Sequence, residues 1–256
     1  MIRRYVSPIF IRITIVCLSI AILSASPLVA KEVIVAIGDS ITQADTHWTV
    51  QGHKNTIQGG WVTRLGNLLE EDFPGEYEVV NRGINGDTAR GVLSRLDRDV
   101  TLLQPDIVII AIGTNDIFGN LSAVPNYTPD SYHTVMTWIF KKLQLDLPDT
   151  PIFVMGMTTV LRKYAHMRCG DFLPQQKAVQ AVFNDYNNIL KKLARDYRFF
   201  YIDLPAQWPE DVESSWKFYA DGIHPNNGGY DLMTNTLYNA LQSTVIHPNR
   251  EDSVLP

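Results

Sequence analysis

Apolar and polar positions alternate at two different rhythms along the chain. Five short runs rich in Val and Ile are nearly continuous: Val33–Ile37, Tyr77–Val80, Ile107–Ile112, Ile152–Met155 and Phe199–Ile202. Four of them show almost no polar alternation, the pattern of strands covered on both faces. Between the runs, apolar residues recur every three or four positions, as on one side of a helix. The stripes are Trp61, Leu65, Leu68 and Leu69; Ala89, Val92, Leu93 and Leu96; Tyr132, Val135, Met136, Ile139, Phe140 and Leu143; Val179, Val182, Phe183, Tyr186, Leu190, Leu193 and Tyr197; and Tyr230, Met233, Leu237 and Leu241. Their Met and aromatic members read as core rather than as a cofactor box.

Strand and helix in alternation predict an α/β domain. The expected fold has three layers, α/β/α, around a doubly wound, flavodoxin-like parallel sheet of five strands. Ligands of such sheets bind beyond the carboxyl ends of the strands. That rule puts Ser40, Asn81 to Thr88 and Gly113 to Asp116 on one rim, after the first, second and third strands. Four stretches break the rhythm: 44–60, 118–129, 160–174 and 205–220. Long connections in a compact domain are commonly functional or mobile, and on this rim they would shape a cleft.

Composition fits one large domain with a sizeable core: 256 residues, 45% hydrophobic and 19% charged. The first 30 residues stand apart. Arg3, Arg4 and Arg12 precede the apolar run Ile13–Leu23, no acid occurs before Glu32, and Ser24, Ala25, Ser26 and Ala30 follow. This is the pattern of a secretory signal peptide. The alternative is an uncleaved anchor, because the run to Ala30 reaches the ~18 residues of a short span. Ser24, Ser26 and Pro27 interrupt the run and favour cleavage. The expected organisation is a signal peptide over 1–30, one domain over 31–245 and a loose tail over 246–256, in a secreted or periplasmic protein.

Loss of the leader removes three Arg and no acid, so the formal charge moves from −5 to −8 (22 − 3 = 19 basic against 27 acidic residues). An acidic domain without a basic run argues against nucleic acid as a partner. Cys17 departs with the leader, and Cys169 alone forms no internal disulfide.

The candidate chemistry starts at Ser40, in "GDSIT". Gly, Asp and Ser are also common turn residues, so Ser40 alone reads equally as a turn or N-cap. A nucleophilic serine needs a base and donors aimed at the developing oxyanion. "DGIHP" supplies Asp221 and His224, close enough for the carboxylate to orient the imidazole; the alternative there is a plain helix entry at Pro225. Gly83 and Gly86 in "NRGINGDT" can bring a backbone N–H close to a ligand. Asn115 in "GTND" offers a side-chain donor that does not titrate. Of His47, His53, His133, His166 and His247, His133 alone has an acidic residue three positions before it, Asp130, and it lies within the third helical stripe. Asp45, His47 and His53 match no common metal-ligand spacing. Trp48, Trp208 and Trp216 lie in loops, either to stack on sugars or to anchor the loops in the core.

The four blocks in this order resemble the SGNH (GDSL) hydrolase family: "GDSIT" at Gly38–Thr42, "NRGINGDTARGVLSRL" at Asn81–Leu96, "GTND" at Gly113–Asp116 and "DGIHP" at Asp221–Pro225. The resemblance spans almost the whole chain beyond the leader and looks closest to the lysophospholipase, thioesterase and small-ester branch. It implies Ser40 as nucleophile, His224 as general base and Asp221 as its orienter. It implies an oxyanion hole from the backbone N–H groups of Ser40 and Gly86 and the Asn115 side chain; Gly86 is preferred to Gly83 because it stands directly before Asp87 and Thr88. It implies neither metal nor cofactor. The expected function is a secreted serine esterase acting on a small-molecule, lipid or carbohydrate ester, with membrane contact only through an uncleaved leader. The alternatives are a carbohydrate O-acetyl esterase or acyltransferase and, more distantly, an inactive ligand-binding envelope protein on the same fold.

Overall fold

The computed structural model describes residues 30–44, 59–161, 176–209 and 211–246. The expectations placed on the leader with Cys17, on Asp45, His47, Trp48, His53, His166 and Cys169, and on the tail beyond residue 246 fall outside these.

Five strands form one parallel sheet: β1 (Glu32–Gly38), β2 (Tyr77–Gly83), β3 (Ile107–Ala111), β4 (Ile152–Met155) and β5 (Phe200–Ile202). Their order is β2-β1-β3-β4-β5, the doubly wound order the alternation predicts. Successive residues of β1 point to opposite faces: Ile34 and Ala36 enter one core, Val35 and Ile37 the other. The strands of β3 and β4 divide in the same way, so the sheet is apolar on both sides.

Helices cover both faces. α1 (Ser40–Gln43) is a single turn after β1. α2 (Trp61–Asp72) packs on the Ile34 face. On the opposite face lie α3 (Ala89–Asp99), α5 (Pro129–Asp146) and α6 (Gln176–Tyr197), with α4 (Thr114–Leu121) between α3 and α5 in sequence. α7 (Leu204–Gln207) and α8 (Val212–Trp216) follow β5, and α9 (Asn227–Leu241) returns to the α2 side. All five apolar stripes are the inward faces of these helices. Burial of each large stripe residue contributes roughly 1.5–3 kcal/mol.

Three elements differ from the sequence expectation. β2 continues from Val80 through Asn81, Arg82 and Gly83, because these polar residues keep the ladder with Ala36, Ile37 and Gly38. At a sheet edge, side chains need not be apolar for the backbone to pair. Phe118 to Leu121 complete α4, and the connection after β5 contains α7 and α8. Trp208 is 5% exposed and packs on Phe218 and Tyr219, and Trp216 packs against the same core. Both anchor this connection, the second of the two alternatives for the loop Trp residues, with Trp208 buried and Trp216 partly buried.

The ends of the strands are level. Gly38 pairs with Gly83 on one side and Ala111 on the other, so the chain leaves β1, β2 and β3 at one height on the rim. α4 is tied to α3 there by Asp116, whose Oδ2 accepts the Ala89 N–H (3.0 Å). Burial pushes the Asp116 carboxyl up from 3.8 to about 7, against the Ala89 N–H and with the charges of Asp39 and Asp87.

A raised carboxyl pKa means that the native state holds this proton where the unfolded chain has lost it. The associated stability is present below about 3.8 and is lost as pH rises through about 7. Asp116→Asn keeps an acceptor for Ala89 and removes the titration. Its melting temperature, taken relative to wild type, should rise between about pH 4 and about pH 8. A difference that stays constant over that range would refute the assignment.

Candidate active site

Each residue of "GDS" has a separate physical reason. Gly38 ends β1 against the Ala111 carbonyl and the Thr42 hydroxyl, where a Cβ would collide with both. Asp39 is the N-cap of α1: its Oδ1 accepts the Ile41 N–H (2.9 Å). Ser40 is therefore the first residue of the helical turn and not its cap. It is 7% exposed, fixed at the switch point where the strand order reverses between β1 and β3.

The tight turn before α9 brings His224 to this serine. Asp221 Oδ1 accepts the backbone N–H groups of Ile223 (2.9 Å) and His224 (2.7 Å). Its Oδ2 lies 2.7 Å from His224 Nδ1, and His224 Nε2 lies 3.0 Å from Ser40 Oγ. The carboxylate accepts, so Nδ1 carries the proton and Nε2 receives the Ser40 hydroxyl hydrogen. Gly222, with φ +84°, allows the turn, and its carbonyl accepts the Leu161 N–H (2.8 Å) from the chain leaving β4. Asn226 then caps α9 by accepting the Gly229 N–H; Pro225 precedes the cap rather than entering the helix.

Burial pushes the Asp221 carboxyl up, but the His224 imidazole and the two backbone N–H groups outweigh it and hold the group below the usual carboxylate range. Asp39 goes the other way. Burial raises it to about 6, although the Ile41 N–H and His224 pull it down. Two aspartates near one imidazole thus shift in opposite directions through their surroundings.

On the other side of the serine, Asp87 N–H donates to the Ile84 carbonyl (3.1 Å), closing a turn whose third residue, Gly86, has φ +75°. That conformation is one glycine adopts without strain. Gly83 is committed elsewhere, its N–H donating to Asn81 Oδ1 (2.8 Å). Asn115 Nδ2 donates to the Asp87 carbonyl (2.8 Å). A carbonyl only accepts, so this bond fixes which end of the amide is the donor and leaves Nδ2 a second N–H.

Sequence reasoning missed the residue that joins these parts. Arg95, 7% exposed, contacts Asp87, Asp99 and two backbone carbonyls. The signal was present: position 95 falls inside the apolar stripe of α3, three after Val92, where a charge needs buried partners. Asp87 and Asp116, inside two quoted blocks, were likewise not singled out as supports.

Two spaces lie near the strand ends, the larger lined by none of Ser40, Gly86, Asn115, Asp221 and His224. A small one, about 20 Å³, lies among Asp39, Ile41, Ala111, Thr114, Met155 and Met157, room for about one water-sized group. A larger one, about 440 Å³, reaches Asp116 and is walled chiefly by polar side chains, including Arg90, Asn126, Tyr127 and Ser131. Among the described residues no helix is long and apolar enough to cross a membrane, and no three His, Cys, Asp or Glu side chains are grouped to hold a metal ion.

A hydroxyl 3.0 Å from an imidazole that a carboxylate backs is an arrangement able to activate serine for attack on a carbonyl. The family model for GDSL-like lipase/acylhydrolase matches residues 36–232, a stretch that contains all four sequence blocks. Acetylxylan esterase from Geobacillus stearothermophilus is 24% identical over 206 residues, 79% of this chain and 90% of that protein. Thioesterase 1/protease 1/lysophospholipase L1 from Escherichia coli strain K12 is 21% identical over 226 residues, 85% of this chain and 87% of that protein. The crystal structure of Axe2, an acetylxylan esterase from Geobacillus stearothermophilus, shares the fold with a TM-score of 0.65 at 22% identity, covering 81% of this chain and 93% of that one. The chain belongs to the GDSL-like lipase/acylhydrolase family and is a serine ester hydrolase.

Proposed function

We propose that Ser40 is the nucleophile of an acyl-enzyme mechanism in a protein exported by its N-terminal leader. Ser40 Oγ attacks the ester carbonyl carbon while His224 Nε2 takes its proton. Asp221 holds the imidazole in the required tautomer and stabilises the imidazolium. The tetrahedral oxyanion is held by the backbone N–H groups of Ser40 and Gly86 and by Asn115 Nδ2. Collapse breaks the bond to the alcohol oxygen, which leaves with the proton from His224. Water then attacks the acyl carbon while His224 takes its proton; the bond to Ser40 Oγ breaks as His224 returns that proton to Oγ, and the acid leaves.

The observation that carries this reading is the unbroken relay from Ser40 through His224 to Asp221, with contacts of 3.0 and 2.7 Å. Catalytic variants of the Geobacillus stearothermophilus acetylxylan esterase offer a parallel: they are substituted at a serine, an aspartate and a histidine, the last two three residues apart as here. The basic, apolar and small-residue pattern over residues 1–30 supports export.

A second reading concerns the substrate: an acetyl ester of a carbohydrate. The acetylxylan esterase relative, aligned over 90% of its own length, supports it.

A fluorophosphonate probe should label the wild type and fail on Ser40→Ala; labelling that survives the substitution would sink the nucleophile assignment. Asn115→Ala should lower kcat on the order of 10²–10³ with p-nitrophenyl acetate, the scale for one oxyanion donor. Near-normal turnover would remove Asn115 from that role. Acetylated xylo-oligosaccharides, short p-nitrophenyl esters and lysophospholipids, assayed side by side, separate the two substrate readings. A kcat/KM highest for lysophospholipid would exclude the carbohydrate one.

A further inference from the structure

One guanidinium connects the strand that carries Ser40 with both outer donors of the proposed oxyanion hole. Arg95 Nη2 donates to the Gly38 carbonyl (3.0 Å), two residues before Ser40. Its Nη1 donates to the Arg82 carbonyl (2.8 Å), near the end of β2, and to Asp99 Oδ2 (2.8 Å). Its Nε and Nη2 reach Asp87 Oδ2 at 2.8 and 2.7 Å. The Asp87 carboxylate is seated where the α3 backbone leaves room: a Cβ on Gly91 would run into it. The same Asp87 closes the Gly86 turn through its N–H and anchors Asn115 through its carbonyl.

Stability alone is a poor reason for this arrangement. A buried ion pair loses solvation that apolar side chains of similar volume would not lose. What the guanidinium supplies is direction, since its planar fork fixes several acceptors at once. Here those acceptors belong to the ends of β1 and β2 and to the turn that carries Gly86.

We propose that Arg95 is a positioning residue for ester hydrolysis: acting through Asp87, it sets the Gly86 turn and the Asn115 amide against Ser40. Arg95 touches no reacting atom. Its loss displaces the donors, and a misplacement of about 1 Å in such a group can cost as much as 10²-fold in rate. The proposal rests on the reading of Ser40, Gly86 and Asn115 given above.

The test is a double-mutant cycle on the full chain with p-nitrophenyl acetate. Arg95→Lys keeps the charge but loses the fork, and Asp87→Asn keeps the shape but weakens the pairing. Each should lower kcat about tenfold or more while KM stays within about twofold, because the affected contacts form fully only in the transition state. In an Asn115→Ala background the same substitutions should cost clearly less than in the wild type, since the part of their effect that runs through the amide is already removed and only the part through the Gly86 turn remains. Circular dichroism and melting curves identify folded variants; if Arg95→Lys does not fold, Asp87→Asn carries the cycle. Unchanged kcat in the folded single variants, or fully additive losses in the cycle, would overturn the proposal. Failure of the underlying reading looks different, because labelling would then persist in Ser40→Ala.

Discussion

The placement of β1 between β2 and β3, with all three strands ending level, is the constraint on which the site depends. Parallel strands leave the sheet on the same side. Because Gly38, Gly83 and Ala111 are in register, short loops suffice to bring Ser40, the Gly86 turn and Asn115 together. The apolar pattern of β1 does not set that register. Both of its faces are buried, and a slip by one residue would exchange one apolar face for another. The end contacts discriminate instead. Only a residue without Cβ fits against the Ala111 carbonyl, and the Gly38 carbonyl accepts both the Ile84 N–H and Arg95.

The same side chain serves four purposes around this rim. Asp221 holds a backbone turn with one oxygen and faces the imidazole with the other. Asp87 is paired with a buried arginine. Asp39 and Asp116 accept backbone N–H groups, and burial raises them to about 6 and about 7 even though the His224 imidazole pulls Asp39 down. At Asp221 the direct hydrogen bond to the imidazole together with two backbone N–H groups outweighs desolvation, whereas at Asp39 and Asp116 the opposing interactions do not. The lowered carboxyl of Asp221 thereby keeps its negative charge directly behind the imidazole.

Much of this was legible in the chain, for physical reasons. Strands buried on both faces give uninterrupted apolar runs, and helices packed on one side give stripes, so the five strands and the main helices could be read from their periods. The places of Ser40, Gly86, Asn115, Asp221 and His224 in the fold were readable because each sits at a strand exit or in a short turn, where local sequence dictates geometry. The supports were less so. Asn81 to Gly83 extend β2 by backbone pairing, which side-chain polarity does not report. Asp39 takes the cap that Ser40 could have taken, a choice made by one rotamer. Arg95 looks like a surface residue until its stripe position is counted, and its acceptors come from three separate segments. Trp208 is drawn inward by Phe218 and Tyr219, a contact between parts of one connection that has no periodic signature.

The division between chemistry and selection follows from how each part is held. The relay and its donors are fixed by backbone contacts among strand ends and by two buried ionic groups. The wall of the large cavity comes instead from the segment after α4, where Ala123 and Asn126 have positive φ (+53° and +69°) and Tyr127 lies over Gly119. That segment is secured from outside the relay, by the Tyr186 hydroxyl on the Tyr127 carbonyl and by the Thr128–Ser131 capping box of α5. None of these contacts passes through Ser40, His224 or Asp221. The cavity can therefore change its shape and polarity without disturbing the atoms that move the proton. The rim and this cavity wall are thus anchored by separate sets of contacts.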